Sequence, residues 1–364
     1  MTSERRHDID WLRVIAIALL LIYHIAIIFQ PWAMFFGFIR SEEALESLWK
    51  PMTMLNVWRI PFLFYVSGMG LYFAMRKRNG KQLLLERTKR ILLPFSFGIL
   101  AIAPLHIFIF QKYYDLPLSY YPHQGHLWFL GNIFVYVLLL LPFNYYLKKQ
   151  ENGKIHRALS SLMSNPGGPL LISLFFVLEV VLVKPSLFAM YAQTWHGFFN
   201  GFLSFFFGFL LVYSGKAFWQ TVLKWRWLYL ALAIILFSIR LIVFGTEAPA
   251  YLMAIESNCW IFTIFGFGYK YLNKPSKTLN YLSQAAYPIY IIHMFVLYAG
   301  ALLLLPLKIP VLLKFIAIVA FTGLLSYLIY EFIIRRIAFL RPLFGLKLKI
   351  GHDAADLKRV EKND

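Results

Sequence analysis

The chain has 364 residues, 60% hydrophobic, 19% aromatic and only 15% charged, with a mean hydropathy of +0.63. Soluble domains are about 45–50% apolar and about 25% charged, so a soluble one- or two-domain enzyme, a disordered chain and a disulfide scaffold are excluded. A net charge of +19 would suggest nucleic acid in a soluble protein, but here most charges sit in short stretches between apolar runs, and no nucleic-acid partner is expected.

A bilayer-spanning helix needs roughly 20 predominantly apolar residues. Such runs begin near Trp11, Met52, Ile91, His126, Pro169, Phe198, Trp227, Tyr251, Ala286 and Val311, and the fifth and sixth (about 170–183 and 198–213) are short. The expected fold is all-α, a polytopic integral membrane protein of about ten transmembrane helices. It forms one domain over residues 1–350, followed by a charged tail over 351–364. The first run is too long for a cleaved signal peptide, carries Arg13 and His24, and lacks a small-residue cleavage site. Pro94 is expected in the first turn of the third span, where a helix tolerates it, and Pro61 and Pro288 are expected to kink their helices. Pro306 and Pro310 bracket a tight turn between the last two spans, and the single cysteine, Cys259, has no internal partner.

Alternate connecting segments differ sharply in charge. With the N-terminus in the cytoplasm, 27 Lys and Arg fall on the inner side, against only Arg40, Lys50, Lys112, Lys184 and Lys308 outside. The positive-inside rule then requires an even number of spans with both termini cytoplasmic.

Ionisable groups inside a bilayer cost several kcal/mol unless they face a cavity or a partner, so each one is a candidate for function. The first span contains Asp10, Arg13 and, after ten intervening residues, His24. Eleven residues at 100° each return Arg13 and His24 to nearly one face, about 16 Å apart along the axis. Arg13 reads either as a snorkelling anchor or as an anion contact, and His24 either as a packed histidine or as a general base. In the second span Arg59 precedes Pro61; it is either satisfied locally or positioned to bind a developing oxyanion. The densest basic run, Arg76 to Arg90, sets topology and, through Arg87 and Arg90 three residues apart, offers a phosphate site. His123 and His126 have a metal-ligand spacing without a second Cys/His pair, so no metal is expected. His293 lies inside the ninth span, and Glu331 with Arg335 reads as an i,i+4 ion pair. Glu179, Arg240 and Glu256 read as interfacial charges near outer helix ends. Neither a nucleophile elbow nor a Gly-rich phosphate loop is present.

Taken in order, these motifs resemble the integral-membrane acyltransferase family 3. Asp10-Trp11-Leu12-Arg13 with His24 is similar to the family's first helix, which carries an Arg and, after ten residues, a His. Arg59-Ile60-Pro61 with Phe64-Tyr65-Val66-Ser67-Gly68, then Arg87-Thr88-Lys89-Arg90, His126-Leu127-Trp128-Phe129-Leu130 and Tyr290-Ile291-Ile292-His293 complete a resemblance spanning residues 5 to about 345. The ending, Tyr330-Glu331-Phe332 through Leu340-Arg341-Pro342-Leu343-Phe344-Gly345, is most similar to the branch that modifies periplasmic glucans.

The resemblance implies transfer of an acyl group, commonly acetyl or succinyl, from cytoplasmic acyl-CoA to a hydroxyl of a glycan or related acceptor outside a bacterial plasma membrane. Acyl-CoA is then a donor substrate, and no tightly bound cofactor is expected. A partner protein or a second copy of the chain is an open expectation. In this frame Arg13, Arg87 and Arg90 hold the CoA phosphates, and the 16 Å to His24 resembles the reach of an extended pantetheine arm. His24 deprotonates the acceptor, with Arg59 or His126 steadying the oxyanion, or else takes the acyl group itself as an acyl-histidine intermediate. The competing class is a transporter of an anionic or sugar-linked substrate, in which intramembrane arginines and broken helices are equally at home.

Overall fold

The computed structural model describes residues 6–151, 153–245 and 247–348, which contain helices, turns and loops and no strand. The tail expected over 351–364 lies outside the described residues. Eleven helices carry the architecture: α1 (His7–Ile28), α2 (Trp49–Met75), α3 (Gly80–Tyr113), α4 (Gly125–Lys149), α5 (Lys154–Met163), α6 (Gly167–Val183), α7 (Trp195–Tyr213), α8 (Lys216–Val243), α9 (Ala250–Tyr271), α10 (Lys277–Leu304) and α11 (Val311–Ile334). Each of the ten expected spans falls on one of the ten longer helices. Eight of these, among the described residues, are long and apolar enough to cross a bilayer on their own, and α5 with α6, bent by 101°, makes a ninth.

The helix outside that count is α2, and its composition follows from its position. Buried residues occur on every face of its 27-residue length, Val57 through Val66 without a break. A helix enclosed by protein has no need of a lipid-grade surface, so Arg59, Ser67, Gly68 and Gly70 lower its hydropathy without shortening it. Its main neighbour is α7. The two backbones approach so closely that a Cβ on Gly68 would overlap the Phe205 carbonyl, and one on Gly208 the Tyr65 carbonyl. Small residues at such crossings let dispersion act between backbones where no hydrophobic effect drives helices together.

Several boundaries differ from the expected ones, α10 beginning at Lys277 and not near Ala286 among them, and so does the place of Pro94. α3 begins at Gly80, not Ile91, because Asn79 and Gln82 form a capping box: the Gln82 N–H donates to Asn79 Oδ1 at 2.9 Å and the Asn79 N–H to Gln82 Oε1 at 3.1 Å. The basic run from Lys81 to Arg90 is therefore helical. Pro94 falls inside α3, which widens into π turns at Thr88–Leu92 and Gly98–Ile102 on either side of it. A missing proline N–H is absorbed more easily where the ladder is already loosened. In α8 the backbone breaks at Trp225 (φ −102°, ψ 15°), two residues before the expected start of the seventh span.

The charges read as interfacial are instead buried pairs. Arg240 grips Glu256 bidentately, Nε to Oε2 and Nη2 to Oε1 both at 2.8 Å, with side chains 1% and 0% exposed. Glu179 accepts from His196 Nδ1 at 2.9 Å, while His196 Nε2 lies 2.9 Å from the Phe188 carbonyl. Linear order gave no hint of this because the partners come from different helices, α8 with α9 and α6 with α7.

Candidate functional site

A cavity of about 790 Å³ lies among α1, α2, α3, α4 and α10. Two helices each give it a stripe. From α1 come Asp10, Arg13, Ile17, Leu20 and His24, and from α2 Ile60, Leu63, Ser67, Gly70 and Ala74. Steps of three and four keep such residues on one helical face, which is why the spacing of Arg13 and His24 survives into a shared chamber. Arginines gather around the Arg13 part of the chamber, and His24 and His126 line its other part.

At the basic part, Arg13 Nη1 stands 3.5 Å from Asp10 Oδ1, and Gly70 opposite leaves the guanidinium room, since a Cβ there would lie 3.4 Å from Arg13 Nη2. Glu86 holds Arg90 at 3.1 Å and stands 3.4 Å from Arg87 Nε. One carboxylate thus faces two guanidiniums, and Arg78 lines the same wall, leaving net positive charge around the opening.

The segment after α11 completes this end. Arg341, Gly345 and Lys347 line the cavity, with Arg341 donating to the Arg335 carbonyl at 2.9 Å and the Lys347 carbonyl at 2.8 Å. Gly345 has φ +74°, and a Cβ there would strike the ring of Tyr287. Only glycine takes that conformation at that distance, so the segment can close on α10. Arg78, Arg341, Lys347 and Tyr287 were not singled out from the sequence. Arg78 belongs to a run that topology already explained, and nothing in the local pattern of 341–347 predicts that it folds back.

At the other part, ring nitrogens form a directed chain. His293 Nδ1 lies 2.5 Å from the Tyr290 carbonyl, and His24 Nδ1 lies 2.9 Å from His293 Nε2. The two rings are within 4° of parallel with centroids 5.2 Å apart. That separation is the N···N distance plus both ring radii, which requires an in-plane, edge-to-edge hydrogen bond and not a face-to-face stack. His126 is anchored separately: its Nε2 is 3.2 Å from the Tyr290 carbonyl and 3.3 Å from that of Ile291. A carbonyl only accepts, so neutral His126 carries its proton on Nε2. Its Nδ1 is buried with no partner among the described residues.

Several expected residues stand elsewhere. Arg59 does not line the cavity. Its guanidinium lies 3.7 Å over the ring of Tyr23, Nη2 donates to Asn56 at 3.3 Å, and Nε and Nη1 are buried without a hydrogen-bond partner among the described residues. From the enclosed helix α2 it faces Tyr23 and not the chamber. Neutral His126 spends its only ring N–H on backbone carbonyls and its Nδ1 is buried, so its ring lines the cavity without presenting the donor an oxyanion needs. His293 stands behind His24, outside the lining. Glu331 is also outside it, accepting from Tyr281 at 2.7 Å and from Arg335 at 2.8 Å in a cluster of its own. Asp10, Arg13, His24, Arg87, Arg90 and His126 are brought together. Among the described residues no three His, Cys, Asp or Glu side chains converge as a metal site requires.

Over residues 6–331 the chain matches the family model described as an acyltransferase domain. No curated protein and no solved structure matches it.

Proposed function

The chain belongs to the membrane acyltransferase family 3, and on that premise we propose that it transfers an acyl group from acyl-CoA to a hydroxyl of a glycan or related acceptor. The observation that supports this most is the single chamber that joins an arginine-lined end to a histidine-lined one. Acyl-CoA carries several negative charges at one end and its thioester at the other, and Arg13 stands about 16 Å along α1 from His24. The phosphates sit against Arg13, Arg87 and Arg90, with Arg78 and Arg341 beside them, and the pantetheine arm runs along Ile17, Leu20 and Leu63. A charged headgroup on one side and a dry thiol-ester arm on the other suit these two linings.

At the histidine end, His24 Nε2 takes the proton of the acceptor hydroxyl as its oxygen attacks the thioester carbonyl carbon. The tetrahedral intermediate collapses with cleavage of the C–S bond. The imidazolium then returns the proton to the departing thiolate, so ester and free CoA thiol form with no net proton change. Arg59, close but not in contact, favours the developing negative charge through its field. The His126 ring lines the same end and helps shape the space the hydroxyl enters.

The excess of basic residues on alternate segments supports a cytoplasmic location for both termini and for the arginine end, the side on which acyl-CoA is made. The acceptor then meets His24 from the far side of what we read as a bacterial plasma membrane. Acetyl or succinyl is the acyl group this reading favours.

Arg87→Gln provides the test of the donor end. Losing a charge-assisted contact worth about 1.5–3 kcal/mol is expected to raise KM for acyl-CoA by roughly tenfold or more, with KM for the acceptor unchanged. Labelled acyl-CoA and a candidate glycan in membranes give both constants. An unchanged donor KM would make Arg87 a topological residue only.

A further inference from the structure

His293 does not line the cavity, yet it is in direct contact with His24, which does. The chain of contacts allows one proton arrangement when both rings are neutral. The Tyr290 carbonyl can only accept, so His293 carries its hydrogen on Nδ1, 2.5 Å away. His293 Nε2 is then a bare acceptor. The in-plane contact of 2.9 Å between it and His24 Nδ1 must be bridged by a hydrogen from His24. With its hydrogen on Nδ1, His24 has its lone pair on Nε2.

We propose that His293 is a positioning residue that locks His24 in the Nδ1–H tautomer and holds its ring so that the bare Nε2 faces the chamber. This rests on the reading of His24 as general base and extends it, because an unlocked imidazole would divide itself between two tautomers and several rotamers. The same turn of α10 fixes His126, whose Nε2 hydrogen points to the carbonyls of Tyr290 and Ile291. In return, the Tyr290 hydroxyl donates to the His126 carbonyl at 2.5 Å. Residues 290–293 therefore hold both cavity imidazoles, His126 through carbonyls that only accept and His24 through His293 Nε2, which the Tyr290 carbonyl leaves without a hydrogen. A neighbour that orients a base and selects its tautomer is a device enzymes build with carboxylates as well, and there the wrong tautomer is severely damaging.

Two substitutions separate this role from packing. In His293→Gln the amide carbonyl oxygen reaches the place of Nε2 and still accepts from His24 Nδ1–H. His293→Phe keeps the ring's bulk and removes the acceptor. With both variants purified in detergent and matched for thermal unfolding, His293→Phe is expected to lower kcat at least about tenfold with KM for acyl-CoA unchanged. His293→Gln is expected to recover most of that loss. Equal losses in the two variants, or a loss confined to donor KM, would overturn the tautomer lock. Full activity in His293→Phe together with an inactive His24→Asn would also overturn it while leaving the base in place. Activity surviving in His24→Asn would instead remove the reading on which the lock rests.

Discussion

His24→Asn is expected to lower kcat for acyl transfer by about 10²–10⁴-fold, the range that a positioned general base contributes. Asparagine suits this test better than alanine. Its amide nitrogen falls near the place of Nδ1 and can still donate to His293 Nε2, 2.9 Å away in the native pair. What it lacks is any atom where Nε2 stood. The fold is therefore retained and the base alone is removed. KM for acyl-CoA should change little, because the donor site proposed around Arg13 and Arg87 lies at the other end of the chamber, Arg13 being about 16 Å along α1 from His24. Product formation from labelled acyl-CoA gives kcat directly. Near-native turnover in His24→Asn would take this histidine out of the chemistry.

The second large effect is on stability. Glu256→Ala should cost about 3–5 kcal/mol, because it strips the bidentate carboxylate from a guanidinium that is 1% exposed. Arg240 would keep its bond to the Thr53 carbonyl, at 3.3 Å, but a neutral carbonyl does not offset its charge. Glu256→Gln, with an acceptor and no charge, should lose less. Replacing both residues with methionine should lose less still, since two buried charges are desolvated at a cost that apolar packing avoids. Denaturant unfolding in detergent ranks the three. A loss below about 1 kcal/mol for Glu256→Ala would mean that the pair is solvated and of the ordinary surface kind.

Legibility followed periodicity. The ten span positions come from the length of the apolar runs and the shared face of Arg13 and His24 from the helical repeat; each span falls on a helix and both residues line one chamber, while the starts of α3, α8 and α10 lie about ten residues earlier than the runs suggest. The start of α3 was misplaced because a basic run looks like a loop until the Asn79–Gln82 capping box is noticed. That signal was present in the sequence and outweighed by charge. The Arg240–Glu256 and Glu179–His196 pairs were not legible. Residues 16 and 17 positions apart on separate helices meet only through tertiary packing. His293 was visible as an ionisable group within a span, but not its partnership with His24 across 269 positions. Arg59 had the right residue type at the right depth; which way α2 turns it depends on neighbours that no local pattern encodes.

Sealed inverted vesicles, with labelled acyl-CoA outside and acceptor glycan trapped within, test the central claim most directly. In the proposed orientation the arginine end then faces the donor. Wild-type protein is expected to place label on the trapped acceptor with stoichiometric release of free CoA, and neither should occur with His24→Asn. Label transfer that is equal in the two proteins would contradict the account. So would movement of the acceptor across the membrane with no consumption of acyl-CoA.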